Sequence, residues 1–251
     1  MQRFGGKVAM VTGAASGIGR ATALRLAAEG ANLFITDITA EALEQTAATI
    51  REGGQKAICH VFDVAEPEQC GAAVDKVVAE LGRLDVLCNI AGIHFARHLA
   101  DVTADDWRRM TSINLDGVFF LCQAAMPHLV ESKGNIVNMA SSAGLVGQIY
   151  NAPYCATKAG VVMLSKALAM EFATAGVRVN SVCPGAVKTA ITDGFAMPDN
   201  PDMNLFSRLF SLNGEMCEAE QIADAVAFLA AEDSSFINGI ALPVDGGQTT
   251  G

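Results

Sequence analysis

Tyr154 and Lys158 stand four residues apart in Tyr154-Cys155-Ala156-Thr157-Lys158, in a chain that holds 2 tyrosines. Positions i and i+4 share one face of a helix, so a helix here sets an ammonium beside a phenol. That charge lowers the phenol pKa toward neutrality and makes Tyr154 a candidate general acid or base. A second candidate for chemistry is the run Thr12-Gly13-Ala14-Ala15-Ser16-Gly17-Ile18-Gly19. Glycines let a backbone turn tightly and approach a pyrophosphate, whose charge the amides and dipole of a following helix then meet. The spacing is GxxxGxG rather than the GxGxxG of the general dinucleotide fingerprint, and three glycines also serve a plain strand-to-helix turn. Their place in the first such turn of the chain favours the phosphate cradle.

Asp37 closes the next apolar run, where an acidic side chain accepts hydrogen bonds from an adenosine ribose diol and repels a 2′-phosphate. An aspartate that merely opens a turn is the plainer alternative. No Arg or Lys stands at Ala14, Ala15, Ile38 or Thr39, so the pattern selects NAD over NADP. Asp63 and Val64, ending the third apolar run, are placed to flank the adenine.

These groups need a scaffold, and the apolar runs supply one. Lys7–Thr12, Asn32–Asp37, Lys56–Asp63, Leu84–Asn89, Gly134–Met139, Val177–Cys183 and Ile240–Val244 are short, β-rich and mostly continuous rather than alternating. Strands covered on both faces read this way, and such sheets are parallel with helical crossovers. Helical patterns fall between them, at 18–29, 41–52, 67–81, 104–131, 152–175 and 219–231. Gly30 suits the position after a helix end, Pro67 and Pro153 suit first turns, and Asn151 is a candidate cap for the helix that carries Tyr154. The expected architecture is a single-domain α/β Rossmann fold over residues 1–251: a doubly wound, seven-stranded parallel sheet with helices on both faces.

Composition narrows the function. The 251 residues carry 17 basic and 27 acidic side chains, a formal charge of −10. The longest basic run is Arg108-Arg109, too little to track a phosphate backbone, so nucleic acid is not an expected partner. Hydrophobic residues make up 51% and charged ones 18%, which excludes a chain too polar to collapse. Residues 1–7 do not form a signal peptide, and no apolar stretch approaches the roughly 18 residues of a membrane helix, so a soluble cytoplasmic protein is expected. The 7 cysteines contain no CxxC pair, which points to reduced, mostly buried thiols and to no metal site.

Taken in order along the chain, Thr12-Gly13-(x)3-Gly17-Ile18-Gly19, Asp63, Asn89-Ile90-Ala91-Gly92, Asn114, Ser141, Tyr154-(x)3-Lys158, Pro184-Gly185 and Asp245-Gly246-Gly247 resemble the short-chain dehydrogenase/reductase family over essentially the whole length. The usual NNAG of that family reads NIAG here, with Ile90 in place of an Asn. The resemblance implies that Ser141 polarises the substrate oxygen, Tyr154 transfers the proton, and Lys158 lowers its pKa and holds the nicotinamide ribose. It implies that Asn114 anchors a water extending the proton relay; an Asn that only bonds neighbouring backbone is the alternative. Gly13, Ser16, Gly17, Ile18 and Gly19 would take the pyrophosphate, with Asn89, Ala91 and Gly92 against the cofactor. Pro184, Gly185, Val187 and Thr189 would grip the carboxamide. A homotetramer is implied as well, with the helices around 104–131 and 152–175 pairing between subunits.

The segment at about 188–215 mixes Ile191, Phe195, Met197, Met203, Leu205, Phe206, Leu209 and Phe210 with Gly194, Pro198 and Pro201, which reads as a lid of short helical pieces. Its apolar face suits a secondary alcohol or ketone with a hydrophobic body, although ordinary core or subunit contact would use the same residues. His94 and His98 stand near the expected pocket mouth, where a solvated loop histidine is the commoner outcome. One rival is a 3-oxoacyl-carrier-protein reductase; an acidic carrier wants a basic patch, and Asp37 counts against the NADP such enzymes use. A rival of another class is a non-catalytic NAD-sensing protein, against which the complete Ser141, Tyr154 and Lys158 set argues.

Overall fold

The computed structural model describes residues 2–189 and 196–250. Seven parallel strands form one sheet in the order β3-β2-β1-β4-β5-β6-β7. They are β1 (Val8–Thr12), β2 (Asn32–Asp37), β3 (Ala57–Val61), β4 (Val86–Asn89), β5 (Asn135–Met139), β6 (Arg178–Pro184) and β7 (Ala241–Val244). Strand direction of travel reverses between β1 and β4, the switch point where open α/β sheets bind ligands beyond their carboxyl ends. Every site residue drawn from the sheet is at that end.

The continuous apolar runs have their cause in two separate cores, one on each face. Ala9 and Val11 of β1 pack into the core shared with Leu26, Leu43, Ile50 and Ile222, while Val8 and Met10 pack into the other with Val74, Leu121 and Val161. The first core is roofed by α1 (Gly17–Ala28), α2 (Ala40–Glu52) and a late helix, α8 (Ala219–Ala230). The second is roofed by α3 (Pro67–Leu81), α5 (Gly117–Ser132) and α6 (Ala152–Glu171). Gly30 follows α1 with φ at 99°, and Pro67 opens α3, as the sequence suggests.

Two elements depart from expectation. The helix expected over 104–131 is α4 (Ala104–Thr111), a π turn (Ser112–Asp116) and α5, because the Asn114 side chain is pulled aside to the backbone of Ile93. A π turn inside a helix often marks a functional site. By length and composition the continuous run Ala104–Ser132 could cross a bilayer, contrary to the sequence reading; its face bearing Leu121, Ala125 and Leu129 is instead buried in the second core. Asn151 does not cap α6 through its side chain, which is held by His94 and the Ile149 carbonyl. The short α7 (Met203–Phe206) and a following 3-10 turn (Ser207–Leu209) are the helical pieces of the expected lid. Ile191, Gly194 and Phe195 lie outside the described residues.

Candidate active site

The glycine run is shaped by close approach. A Cβ on Gly19 would stand 2.0 Å from the Gly13 carbonyl oxygen, so no other residue fits there. Gly13 has φ at 69° and its missing Cβ would meet the Ala91 Cα at 2.9 Å, which brings the loop after β4 against the loop after β1. Thr12 ties the same two loops, its hydroxyl accepting hydrogen bonds from the amides of Ile90 at 2.9 Å and Ala91 at 3.0 Å. Ser16 precedes α1 without capping it by its side chain, which leaves the first amides of the helix to a ligand.

These residues open onto a cleft of about 280 Å³, lined by Gly13, Ser16, Gly17, Ile18 and Gly19 on one side and by Ala91 and Gly92 on the other. Asp37, Asp63 and Val64 line its far end, and Thr189 closes over Gly17. The Asp37 carboxylate accepts hydrogen bonds from the amides of Ala15 at 3.1 Å and Thr39 at 3.0 Å. A carboxylate has about four acceptor positions, so two are left for a diol. A dinucleotide fits this cleft on two counts: the Cβ-free cradle at a helix N-terminus and the acceptor at the ribose end.

Asn89 departs from its expected place beside a cofactor. Its amide donates to Asn138 Oδ1 at 2.9 Å and Cys122 Sγ at 3.3 Å, and its own Oδ1 is buried without a hydrogen bond. It faces inward because β4 is central and both its faces are covered. Arg109 and Ile113, one turn apart, line the cleft and were not singled out from sequence. Nothing in their spacing distinguishes them from an ordinary helix face.

A second cavity of about 460 Å³ meets the cleft at Ile18, Ile90, Gly92, Ile93 and Thr189. Tyr154 and Lys158 reach it from α6, Ser141 from the turn after β5, and Pro184, Gly185 and Val187 from the end of β6. Ser141 and Tyr154 line the same cavity, and the Ser141 hydroxyl accepts from the Ala143 amide at 3.1 Å, which fixes its rotamer. The Lys158 ammonium donates to the Met139 carbonyl at 2.8 Å and lies 5.6 Å from the Tyr154 ring centre.

Burial dominates the electrostatics of the tyrosine and lysine pair. Burial pushes the Tyr154 phenol up to about 12, with the Ser141 hydrogen bond opposing. Burial draws Lys158 down to about 8. Burial is the largest influence on the phenol and holds it as a protonated donor. Asn114 is fixed by its side chain. Its amide group is fully buried, taking the Ile93 amide at 2.8 Å and giving to the Ile93 carbonyl at 2.8 Å and to Met110 Sδ. It clamps the loop that leads into His94.

His94 is part of the cavity wall and not a solvated loop side chain. Its ring meets the Tyr154 ring edge-on at 4.6 Å between centres, and its Nε2 is 2.7 Å from Asn151 Oδ1. His98 pairs edge-on with Tyr150 and donates to the Asp199 carbonyl at 2.7 Å. Met197, Phe206, Leu209 and Phe210 of the later segment contribute to the apolar wall, while Met203 and Leu205, expected with them, do not line it.

This is the site plan of a dehydrogenase: a dinucleotide cleft that runs into an apolar cavity at a protonated tyrosine. Comparison with known proteins agrees. The family described as Enoyl-(Acyl carrier protein) reductase matches residues 13–249. The chain is 43% identical over 247 residues to meso-2,3-butanediol dehydrogenase of Serratia marcescens, covering 98% of this chain and 96% of that one. It is 41% identical over 250 residues to D-threitol dehydrogenase of Mycolicibacterium smegmatis, with 98% and 94% covered. A short chain dehydrogenase from Mycobacterium paratuberculosis bound to NAD superposes with a TM-score of 0.91 at 30% identity, over 99% of this chain and 100% of that one. The chain belongs to the short-chain dehydrogenase/reductase family, and it is a dehydrogenase acting on CH–OH groups with a nicotinamide cofactor.

Proposed function

We propose that the protein interconverts a secondary alcohol and its ketone, with NAD preferred over NADP and an apolar substrate body held in the 460 Å³ cavity. The observation that carries this is the position of Tyr154, which lines with Ser141 and Lys158 a cavity continuous with the Asp37 cleft. Gly13, Ser16, Gly17, Ile18 and Gly19 hold the pyrophosphate, Asp37 the adenosine ribose, Asp63 and Val64 the adenine side, and Pro184, Gly185, Val187 and Thr189 the carboxamide. NAD, when bound, supplies the carbon that accepts or returns hydride.

The rest is done by the chain. The Ser141 hydroxyl and the Tyr154 phenol converge on the substrate oxygen, and donors fixed in advance stabilise the charge that develops there. Held protonated, Tyr154 gives its proton to that oxygen when a ketone is reduced and must first lose it when an alcohol is oxidised. Lys158 holds the nicotinamide ribose and tunes the phenol through its charge. Two relatives are named for 2,3-butanediol and threitol, so substrates that carry neighbouring hydroxyls are the first to try.

We assign the protein to the cytoplasm and to a homotetramer; all 7 cysteines are free, and Phe119, Met163 and Met170 are exposed on α5 and α6. An acidic carrier protein is disfavoured as partner by the charge of −10. Steady-state oxidation of a panel of secondary alcohols, read by NADH absorbance, tests the proposal. Expected is turnover with NAD⁺ and about tenfold or more lower kcat/KM with NADP⁺, as loss of one hydrogen bond to a charged group implies. Preference for NADP⁺ overturns the role of Asp37, and turnover of no alcohol overturns the function.

A further inference from the structure

Asn89 is turned away from the cleft, and its hydrogen bonds show what it joins instead. Its Nδ2 donates to Asn138 Oδ1 at 2.9 Å, and Asn138 Nδ2 donates to Ser165 Oγ at 2.9 Å. The Ser165 hydroxyl in turn donates to the Val161 carbonyl at 2.8 Å, so all three donors point one way along the row. All three side chains are buried. Burying polar groups is costly, and one atom of the row is left over, since Asn89 Oδ1 has no partner. Apolar residues of similar volume would fill the space without that loss, so packing alone does not account for the row.

The three side chains belong to three different pieces of the site. Asn89 ends β4, and the residues that follow it, Ile90, Ala91 and Gly92, line the cofactor cleft. Asn138 lies in β5 beside Met139, whose carbonyl accepts from the Lys158 ammonium at 2.8 Å. Ser165 lies on α6, seven residues beyond Lys158 and on the same helix face. Two neighbours in β5 thus grip α6 at two points, Met139 at Lys158 and Asn138 at Ser165, about 10 Å apart along the helix axis. Apolar packing of Val161 and Val162 holds the helix to the sheet, but that attraction has no direction and leaves the helix free to slide. A directional pair of hydrogen bonds stops the sliding, and Asn138 ties the same helix to the end of β4.

We propose that Asn138 is a positioning residue that fixes α6, and with it Tyr154 and Lys158, relative to the loop that follows β4 along the cofactor cleft. It touches neither substrate nor cofactor. The proposal rests on the roles read above for Tyr154 and Lys158. Hydride exchange and proton exchange must both stay aligned on one substrate, and a misplacement of about 1 Å can cost roughly 10²-fold in rate. The buried row gives the cofactor side and the proton donor a shared reference.

The test cuts the row at two places. Ser165→Ala removes the tie to α6 and leaves Asn89 on Asn138, while Asn138→Val removes both ties. The rate of NADH formation in a single turnover, with a secondary alcohol that the wild type oxidises, should fall about tenfold in Ser165→Ala and roughly 10- to 100-fold in Asn138→Val. NADH affinity by fluorescence titration should stay within about threefold in Ser165→Ala, because the β4 side of the row is intact. The double variant should be no slower than Asn138→Val alone, since both changes cut one row. Leu129→Ala, in the same core but outside the row, is the control for lost stability: it should lower the unfolding midpoint at least as far as Ser165→Ala and keep the single-turnover rate within about twofold. Should Asn138→Val fail to fold, Ser165→Ala against Leu129→Ala decides. A wild-type rate in Ser165→Ala overturns the positioning role and leaves the dehydrogenase reading standing. Losses that multiply in the double variant, or an equal loss in Leu129→Ala, overturn it as well, and turnover of no alcohol by the wild type overturns both.

Discussion

The cofactor cleft and the substrate cavity meet at five residues but are made in different ways. The cleft is shaped by main chain: amides before α1, glycines where two loops nearly touch, and a carboxylate held by the amides of Ala15 and Thr39. The cavity is shaped by side chains from the loop after β4, the turn after β5, α6 and the segment around 196–210. A backbone site tolerates almost no change at a few positions. A side-chain site spreads its specificity over many positions, each of which can be exchanged at modest cost.

The largest effect should come where the two meet. Tyr154→Phe should lower kcat by roughly 10²–10⁴-fold, the usual range for a general acid or base, with NADH binding measured by fluorescence unchanged. In the wild type the same phenol, held up to about 12, makes oxidation rise with pH through the alkaline range while reduction stays level until the phenol ionises. Next, Gly19→Ala should strike the cleft alone: with a Cβ at 2.0 Å from Gly13 O, the loop must move. An overpacking cost of about 1–3 kcal/mol corresponds to NADH binding weaker by roughly 5- to 150-fold in calorimetry. If Gly19→Ala changed substrate preference and not NADH affinity, the division between the regions would fail.

The smallest effect belongs to the cavity. Tyr150 accepts the Asp202 amide at 2.7 Å through its hydroxyl, and Tyr150→Phe removes one exposed hydrogen bond. KM for the alcohol should rise by no more than about fivefold, the equivalent of ~1 kcal/mol, with kcat and NADH affinity unmoved.

The same contrast explains what could be read from the chain beforehand. The strands and the glycine turn were legible because main-chain geometry demands particular residues at fixed spacing. Gly19 must be glycine, and its neighbours in sequence are its neighbours in space. His94 carried no such mark, since its meaning depends on Asn151, 57 positions away, and on a loop held by Asn114. Asn151 looked like a helix cap because a cap is local, and a nonlocal partner claimed its side chain. Asn89 looked like a cofactor ligand, but a central strand turned it to Asn138. The burial of Tyr154 was hidden for a related reason: sequence spacing shows the neighbouring charge and not what packs around the phenol.

The segment over the cavity is tied down at points outside its own span. His98 holds the Asp199 carbonyl, Tyr150 the Asp202 amide, and the Gly246 carbonyl accepts from Leu212 at 3.2 Å. All three fastenings engage main chain of the segment and none uses the side chains that face the substrate. Residues between the fastenings can therefore be replaced in one block, like a cassette, with the frame left untouched. Grafting Asn204–Phe210 from a relative should carry over the preference for substrate bulk.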